Sequence, residues 1–240
     1  MGCIPLGVFA ADTESLSVQI EKLMRQALLL REQIKQMAFE YPVQATVVFP
    51  GQKQVALQVG HWNLENAPWE LRNLDPHRQA FGAGKMEWEV NLKIAQEVKK
   101  ILEQKGMSVA ILSAILPSTY KADAFVAIHA DQNPSAPWLS GFKVAASAFD
   151  ISGQATKLAE DIATEYRVAT WLEREKYIPD SMPYYYAFNA EKFSYVVHPT
   201  TPAVIIETGY LVNPRDQAII VSNPHMAAEG IANGIIKFFE

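Results

Sequence analysis

The chain has 240 residues, of which 49% are hydrophobic and 20% are charged, with a formal net charge of −5 at pH 7. This composition suits one substantial hydrophobic core and is not that of a disordered chain. The acidic balance and the absence of Lys/Arg clusters argue against a nucleic-acid partner. No apolar run approaches the ~20 residues that a transmembrane helix needs. The single cysteine, Cys3, excludes a disulfide framework.

Residues 1 to 13 include a short apolar run, from Gly2 to Asp12, that ends in small residues. It resembles the end of a secretion signal, but it lacks a basic n-region and is too short to be a complete signal. We therefore expect residues 1–13 to be a flexible N-terminus or the remnant of a signal.

Residues 14 to 40 carry a heptad-like pattern of apolar residues spaced by alternating steps of three and four. The pattern predicts a helix with an apolar stripe that must be buried against a partner. Fewer than four heptads give thin support for a separate coiled coil, so we expect a monomer in which this helix packs on the next domain or serves as a linker. A dimer through this helix is the alternative. The stripe consists of Ile20, Leu23, Ala27, Leu30, Ile34 and Met37.

Residues 41 to 240 alternate between strand-like and helical patterns. Apolar strands are predicted near 45–49, 55–60, 107–112, 123–129, 141–147 and 203–207, and helices near 91–105, 153–169 and 225–239. This alternation predicts an α/β domain with a mostly parallel or mixed sheet of about six strands and helices on both faces.

Three of these strands lead into side chains that can catalyse hydrolysis or bind a metal: His61, His129 and Glu207. The carboxyl ends of parallel strands meet at one sheet edge, where α/β proteins place their sites. Taken singly, each residue is more often a hydrogen-bonded or salt-bridged structural residue. Their repeated placement indicates a metal site, because zinc takes imidazole nitrogen and carboxylate oxygen and usually has three protein ligands in catalytic sites.

The third ligand is expected to be an acid, and Glu87 is the best candidate. It lies where a glycine-containing loop leads into the amphipathic stretch from Asn91 to Lys105. A carboxylate in that first turn can point back over the sheet edge. The alternative is that Glu87 and Glu89 are first-turn acids that the helix dipole favours.

In their order, these elements resemble the zinc-dependent N-acetylmuramoyl-L-alanine amidases of the amidase-3 type, which cleave peptidoglycan. The resemblance spans about Ala45 to Glu240, and four ordered motifs make it specific. The matching segments are Gly60-His61, Glu87 through Asn91-Leu92, Ala127-Ile128-His129-Ala130-Asp131, and Glu207-Thr208-Gly209-Tyr210-Leu211-Val212-Asn213.

The resemblance implies that His61, Glu87 and His129 bind zinc and that Glu207 is the catalytic acid/base. The bond cleaved would join the lactyl carbonyl of N-acetylmuramic acid to the nitrogen of L-alanine. Peptidoglycan would be the partner, in cell-wall degradation or biogenesis, and an exported parent protein would act in the cell envelope or outside the cell.

Several residues beside the motifs depart from the family pattern. The usual glycine after the first His is replaced by Trp62-Asn63, and the usual Ser and Asn around the second His are Ala127 and Asp131. The stretch from Ala114 to Lys121 is shorter than its family equivalent. These changes affect the expected fit of substrate more than the expected binding of metal.

The same ligand set would also serve a zinc peptidase or carboxypeptidase acting on other peptides. A non-catalytic wall-binding module is a further alternative, although such a module would be expected to lack Glu207 or one ligand.

The segment from Glu173 to His198 is irregular and contains the run Tyr184-Tyr185-Tyr186. Long aromatic loops often border sites, although a packed lid is equally consistent with this composition. His77, His198 and His225 lie in predicted loops, so we expect structural or surface roles for them, with His198 the one of the three nearest the site.

Overall fold

The computed structural model describes residues 18–26, 29, 51–64, 67–72 and 79–240. The chain forms two compact units, Met1–Ala45 and Thr46–Glu240. In the first unit, residues 18–26 lie in a helix, α1, on which Ile20 and Leu23 are 50% and 64% exposed. Residues 1–13, most of the predicted heptad segment and the predicted strand 45–49 lie outside the described residues.

The second unit alternates strands and helices. Its strands are β1 (Gln54–Val59), β2 (Phe81–Gly82), β3 (Lys85–Met86), β4 (Ser108–Leu112), β5 (Ala124–Asp131), β6 (Lys143–Ala146) and β7 (Ala203–Tyr210). Its helices are α2 (Glu87–Gln104), α3 (Ala155–Thr170), α4 (Pro214–Ile220) and α5 (Pro224–Phe239), with 3-10 helices at Trp69–Leu71 and Tyr186–Phe188.

The central sheet has the strand order β4-β1-β5-β7-β6. Its first four strands are parallel, and β6 pairs antiparallel with β7 at the edge. The short strands β2 and β3 form a separate antiparallel pair just before α2. The predicted α/β class with a mostly parallel sheet is confirmed, with five strands in the central sheet of the described chain.

One face of the sheet packs against the helices. Alternate strand residues such as Leu57, Val126 and Ile206 are fully buried there, in one core with the apolar stripes of α2, α3 and α5. Gly230 and Gly234 allow α5 to approach α3 closely, because a Cβ atom at either position would lie about 2.5 Å from the α3 backbone. Burying these runs of Val, Ile and Ala supplies the main driving force for folding.

Among the described residues, irregular segments and the 3-10 helix Tyr186–Phe188 cover the other face, where the sequence predicts further helices. Phe125, Ala127 and Ile205 of the sheet pack there against Phe188 and neighbouring loop residues. Prolines interrupt this aromatic segment, and it has no helical periodicity. Consequently, loop side chains reach the ends of the strands on this face.

Among the described residues, no helix is both long enough and apolar enough to cross a membrane.

Candidate metal centre

His61, Glu87 and His129 meet at the carboxyl edge of the sheet. One potential ligand atom from each lies within 4.8 Å of the others. His61 follows β1, His129 lies near the end of the neighbouring parallel strand β5, and Glu87 is the first residue of α2. The topology therefore brings together the three residues for which the sequence predicts metal binding.

Glu87 faces the two histidines, and Glu89 caps the helix. The carboxylate of Glu89 accepts the backbone N–H of Met86 at 2.8 Å, which satisfies an otherwise free donor at the helix start. Glu87 is only 3% exposed and lies 2.9 Å from His129 Nδ1 and 3.4 Å from His61 Nε2. The two first-turn acids therefore have different environments, and only Glu87 has that of a ligand.

Three donors hold the Glu87 carboxylate in place. Its Oε2 atom accepts the backbone N–H of Ala80 at 2.9 Å. Its Oε1 atom accepts the N–H of Ala130 at 3.2 Å and the side-chain amide of Asn91 at 3.3 Å. Burial opposes ionisation, but the hydrogen bond and charge of His129, with the charge of His61 and the Ala80 N–H, lower the pKa of Glu87 below its usual value. The group is therefore held as a carboxylate.

His61 occupies a left-handed backbone conformation, with φ of 63°. This conformation is uncommon for a residue other than glycine. Burial lowers the pKa of His61; the Glu87 carboxylate opposes this effect, and the nearby His129 adds to it. Its Nδ1 atom is buried with no hydrogen-bond partner in the described chain. A neutral imidazole with an unpaired nitrogen is the form that binds metals.

His129 is buried beneath the same edge and is 6% exposed. Burial alone would lower its pKa, but the hydrogen bond and charge of Glu87, with the charge of Glu207, raise the pKa above the usual value. Two imidazoles and one carboxylate form a donor set that fits a divalent transition metal. The arrangement and the unpaired nitrogen of His61 support a metal site at this edge.

Glu207 lies beside this group on β7, directly paired with His129 of β5. Burial raises the pKa of its carboxyl to about 8; His129 and Lys143 oppose the shift, and Glu87 and Asp131 add to it. Its Oε2 atom is buried without a partner among the described residues. Glu207 therefore has the environment of a group that exchanges a proton near neutral pH.

Two neighbouring residues were missed by the sequence analysis. Lys143 on β6 is paired with Glu207 across the sheet, and its ammonium lies 2.6 Å from Asp131 and 3.0 Å from Glu175. Tyr185, from the irregular aromatic segment, places its hydroxyl 3.0 Å from His129 Nε2. A lysine inside an apolar strand is the one sequence signal that could have indicated the first of these.

The remaining candidate, His198, is not part of the metal-binding group. Its Nδ1 atom lies 2.7 Å from the hydroxyl of Thr200 and also accepts the backbone N–H of that residue. These local contacts stabilise a turn, so His198 has a structural environment.

The family model Amidase_3, N-acetylmuramoyl-L-alanine amidase, matches residues 73–237, a range that includes Glu87, His129 and Glu207. A probable cell wall amidase, LytH, from Staphylococcus saprophyticus is 25% identical over 158 residues, which is 62% of this chain. The chain spans about half of that relative, 48% of its length.

Solved amidase structures share the fold. The catalytic domain of CwlV from Bacillus (Paenibacillus) polymyxa var. colistinus has 22% identity and a TM-score of 0.54, covering 78% of this chain and 98% of that chain. An amidase from Clostridium difficile 630 has 18% identity and a TM-score of 0.54, covering 78% and 97%. AmiC2 of Nostoc punctiforme has 22% identity and a TM-score of 0.52, covering 79% and 98%.

The family match covers more than half of the chain, and the structural likeness extends over nearly four fifths of it. The chain therefore belongs to the Amidase_3 family of N-acetylmuramoyl-L-alanine amidases.

Proposed function

We propose that this chain hydrolyses the amide bond between the lactyl carbonyl of N-acetylmuramic acid and the L-alanine of the peptidoglycan stem peptide. The observation that carries the proposal is the close grouping of His61, Glu87 and His129, with Glu207 paired to His129 on the next strand. The family match and the staphylococcal relative, named a probable cell wall amidase, support the choice of substrate.

In this proposal, His61, Glu87 and His129 hold a zinc ion. Two imidazole nitrogens and a carboxylate oxygen are ligands that zinc prefers, and three protein ligands leave a position open for chemistry. When bound, zinc supplies Lewis-acid chemistry, because it acidifies water and polarises the scissile carbonyl. The hydrogen bonds of Ala80, Ala130 and Asn91 keep the Glu87 carboxylate aimed at the two histidines.

Glu207 would carry the proton. An amide has a poor leaving group, so its hydrolysis needs a base that takes a proton from water and an acid that gives a proton to the departing nitrogen. With a pKa of about 8 in the metal-free chain, the Glu207 carboxyl holds a proton near neutral pH. The positive charge of Lys143 favours the ionised form of Glu207. The Glu207 side chain can therefore accept a proton and later return it.

The substrate places the reaction in the cell wall, so we propose that the protein acts in the cell envelope or outside the cell. The staphylococcal relative's description as a cell wall amidase supports this location.

A digest of purified peptidoglycan tests the proposal. We expect zinc-loaded protein to release stem peptides that begin with a free L-alanine amino group, as identified by mass spectrometry. Cleavage only within the stem peptide would indicate a peptidase and would contradict the proposal. Release of no peptide by zinc-loaded protein would also contradict the proposal.

Elemental analysis tests the metal site separately. We expect about one zinc per wild-type chain and loss of zinc in both His61→Ala and His129→Ala. The matched control is His198→Ala, because His198 bonds only to its own turn and to Tyr120 in the described chain. Full zinc retention in both ligand variants would overturn the site assignment.

A further inference from the structure

The two ring nitrogens of His129 face different partners. Its Nδ1 atom lies 2.9 Å from Glu87 Oε1, among the proposed ligands. Its Nε2 atom lies 3.0 Å from the hydroxyl oxygen of Tyr185, and the two rings meet edge to face with centroids 5.3 Å apart. Nδ1 is therefore the nitrogen that faces the metal-binding group, and a neutral imidazole that binds a metal through Nδ1 carries its proton on Nε2.

Neighbouring aromatic rings hold Tyr185 in place. The rings of Tyr185 and Tyr186 pack with centroids 4.5 Å apart, and those of Tyr185 and Phe188 pack with centroids 5.5 Å apart. The hydroxyl oxygen of Tyr185 is therefore held beside Nε2 of His129.

The hydroxyl of Tyr186 bonds to other groups. Its proton goes to the backbone carbonyl of Ala114. It also accepts the side-chain amide of Gln58 at 3.1 Å, and that amide donates to the Ala114 carbonyl at 2.9 Å. Gln58 is fully buried on β1, so this arrangement is anchored in the sheet. Because its proton goes to Ala114, Tyr186 has no proton to give to Tyr185, and the Tyr185 oxygen keeps a lone pair that can accept from His129.

We propose that Tyr185 is a positioning residue that accepts a hydrogen bond from Nε2 of His129 and so holds the ring with Nδ1 toward the zinc. When Nδ1 binds the metal, Nε2 carries the proton of the neutral ring, and the Tyr185 oxygen lies 3.0 Å away as its acceptor. Groups behind a metal ligand commonly fix its tautomer and ring orientation in this way. This inference rests on the zinc site of the proposed function.

The position of Tyr185 in the fold suits this role. It immediately precedes the 3-10 helix Tyr186–Phe188, and Phe188 packs against Phe125 of the sheet with ring centroids 6.2 Å apart. Tyr184, one residue earlier, is 60% exposed and packs against Phe149 instead. The run of three tyrosines therefore contains one residue beside the metal-binding group and an adjacent residue that serves as a matched control.

NMR of zinc-loaded wild-type protein tests the tautomer without any substitution. Long-range proton–nitrogen correlation spectra should show His129 with a proton on Nε2 and with Nδ1 bound to the metal. A proton on Nδ1 would overturn the role of Tyr185 while leaving the zinc site intact. Wild-type protein that binds no zinc would overturn the metal site itself, and the proposed function and this inference with it.

Metal affinity tests the contribution of the hydroxyl. Tyr185→Phe keeps the ring and removes the acceptor, so we expect zinc to bind about 10-fold to 100-fold more weakly, the range for second partners of metal ligands. Tyr184→Phe should bind zinc as the wild type does. A chelator competition titration measures both. Equal affinity of Tyr185→Phe and Tyr184→Phe would overturn the proposal, and the NMR result decides if Tyr185→Phe does not fold.

Discussion

Gly60 and His129 are packed so closely that only glycine fits at the end of β1. A Cβ atom on Gly60 would lie 2.3 Å from Cε1 of the His129 ring and 2.5 Å from both ring nitrogens. The backbone N–H of Gly60 also bonds to the carbonyl of Ile128, which ties the strand end to β5. The Gly-His sequence at this strand end thus serves two ligands, because His61 is one and Gly60 makes room for the other.

Gly60→Ala should therefore weaken zinc binding by about 10-fold or more, the loss expected when a ligand's orientation is disturbed. The methyl group would displace the His129 ring from Glu87 and Tyr185. Gly153→Ala is a control, since Gly153 has φ of +71° and no atom within 4 Å of the added Cβ. The control should lose stability through backbone strain and keep its zinc affinity. Equal zinc affinity of both variants in a chelator titration would contradict this account.

The two acids of the site, Glu87 and Glu207, should respond differently to removal of charge. Glu207→Gln should keep zinc and lose at least ~10²-fold in turnover, the lower range for general acid/base contributions. Glu87→Gln should lose zinc, because it removes a proposed ligand. Glu89→Gln is the control for the second substitution, since Glu89 bonds to the Met86 N–H in the same helical turn.

Elemental analysis and peptidoglycan digestion of the three variants would check these roles. If Glu207→Gln lost zinc while Glu87→Gln kept it, the two assignments would have to be exchanged. If Glu207→Gln turned over at the wild-type rate, Glu207 would not be the proton carrier.

The sequence predicts that His61, His129 and Glu207 follow apolar strands, because the apolar runs before them can be read directly from the sequence. Their approach to one another then follows, since parallel strands align their carboxyl ends. It does not predict the partners that depend on register. Lys143 reaches Asp131 only because β6 joins the sheet beside β7, and sequence spacing does not determine that pairing. The aromatic segment has no periodicity, so nothing in its pattern identifies Tyr185 as the tyrosine that contacts His129.

Lys143 should be important for stability. Its side chain is 5% exposed and forms ion pairs with Asp131 and Glu175. Both acids and the hydroxyl of Tyr210, at 2.9 Å, raise the pKa of Lys143 against the opposing effect of burial, which is the largest single contribution. Lys143→Met would leave two carboxylates without their shared cation. Because Asp131 and Glu175 are only partly buried, we expect a loss of about 1 to 3 kcal/mol in the free energy of unfolding, less than for a fully buried pair.

Lys93→Met provides the surface comparison, because Lys93 is 55% exposed and pairs with Glu97 four residues later on the same helix. Such exposed pairs contribute less than about 1 kcal/mol. Urea unfolding of both variants measures the difference. If Lys143→Met were no more destabilising than Lys93→Met, the Lys143 ion pairs would have no special role in the fold.

The carboxyl of Glu207 should make the stability of the metal-free protein depend on pH. Burial raises its pKa from an ordinary 4.5 to about 8 in the folded chain. Between these two pH values the folded state keeps a proton that the unfolded state has released. The stabilisation that this proton gives to the folded state is fully present below about pH 4.5 and is lost as pH rises through 8. Glu207→Gln has no such proton to lose, so its stability relative to the wild type should increase over that window.

Thermal unfolding with a chelator present measures this difference. We expect the wild type and Glu207→Gln to melt at similar temperatures at pH 5. At pH 8.5 the wild type should melt lower by at least about 3 °C, the change that ~1 kcal/mol produces in a chain of this size. Glu229→Gln, which alters an exposed acid on α5, should follow the wild type at both values. If the difference in melting temperature between wild type and Glu207→Gln stayed constant from pH 5 to pH 8.5, Glu207 would have the same pKa in the folded and unfolded chain.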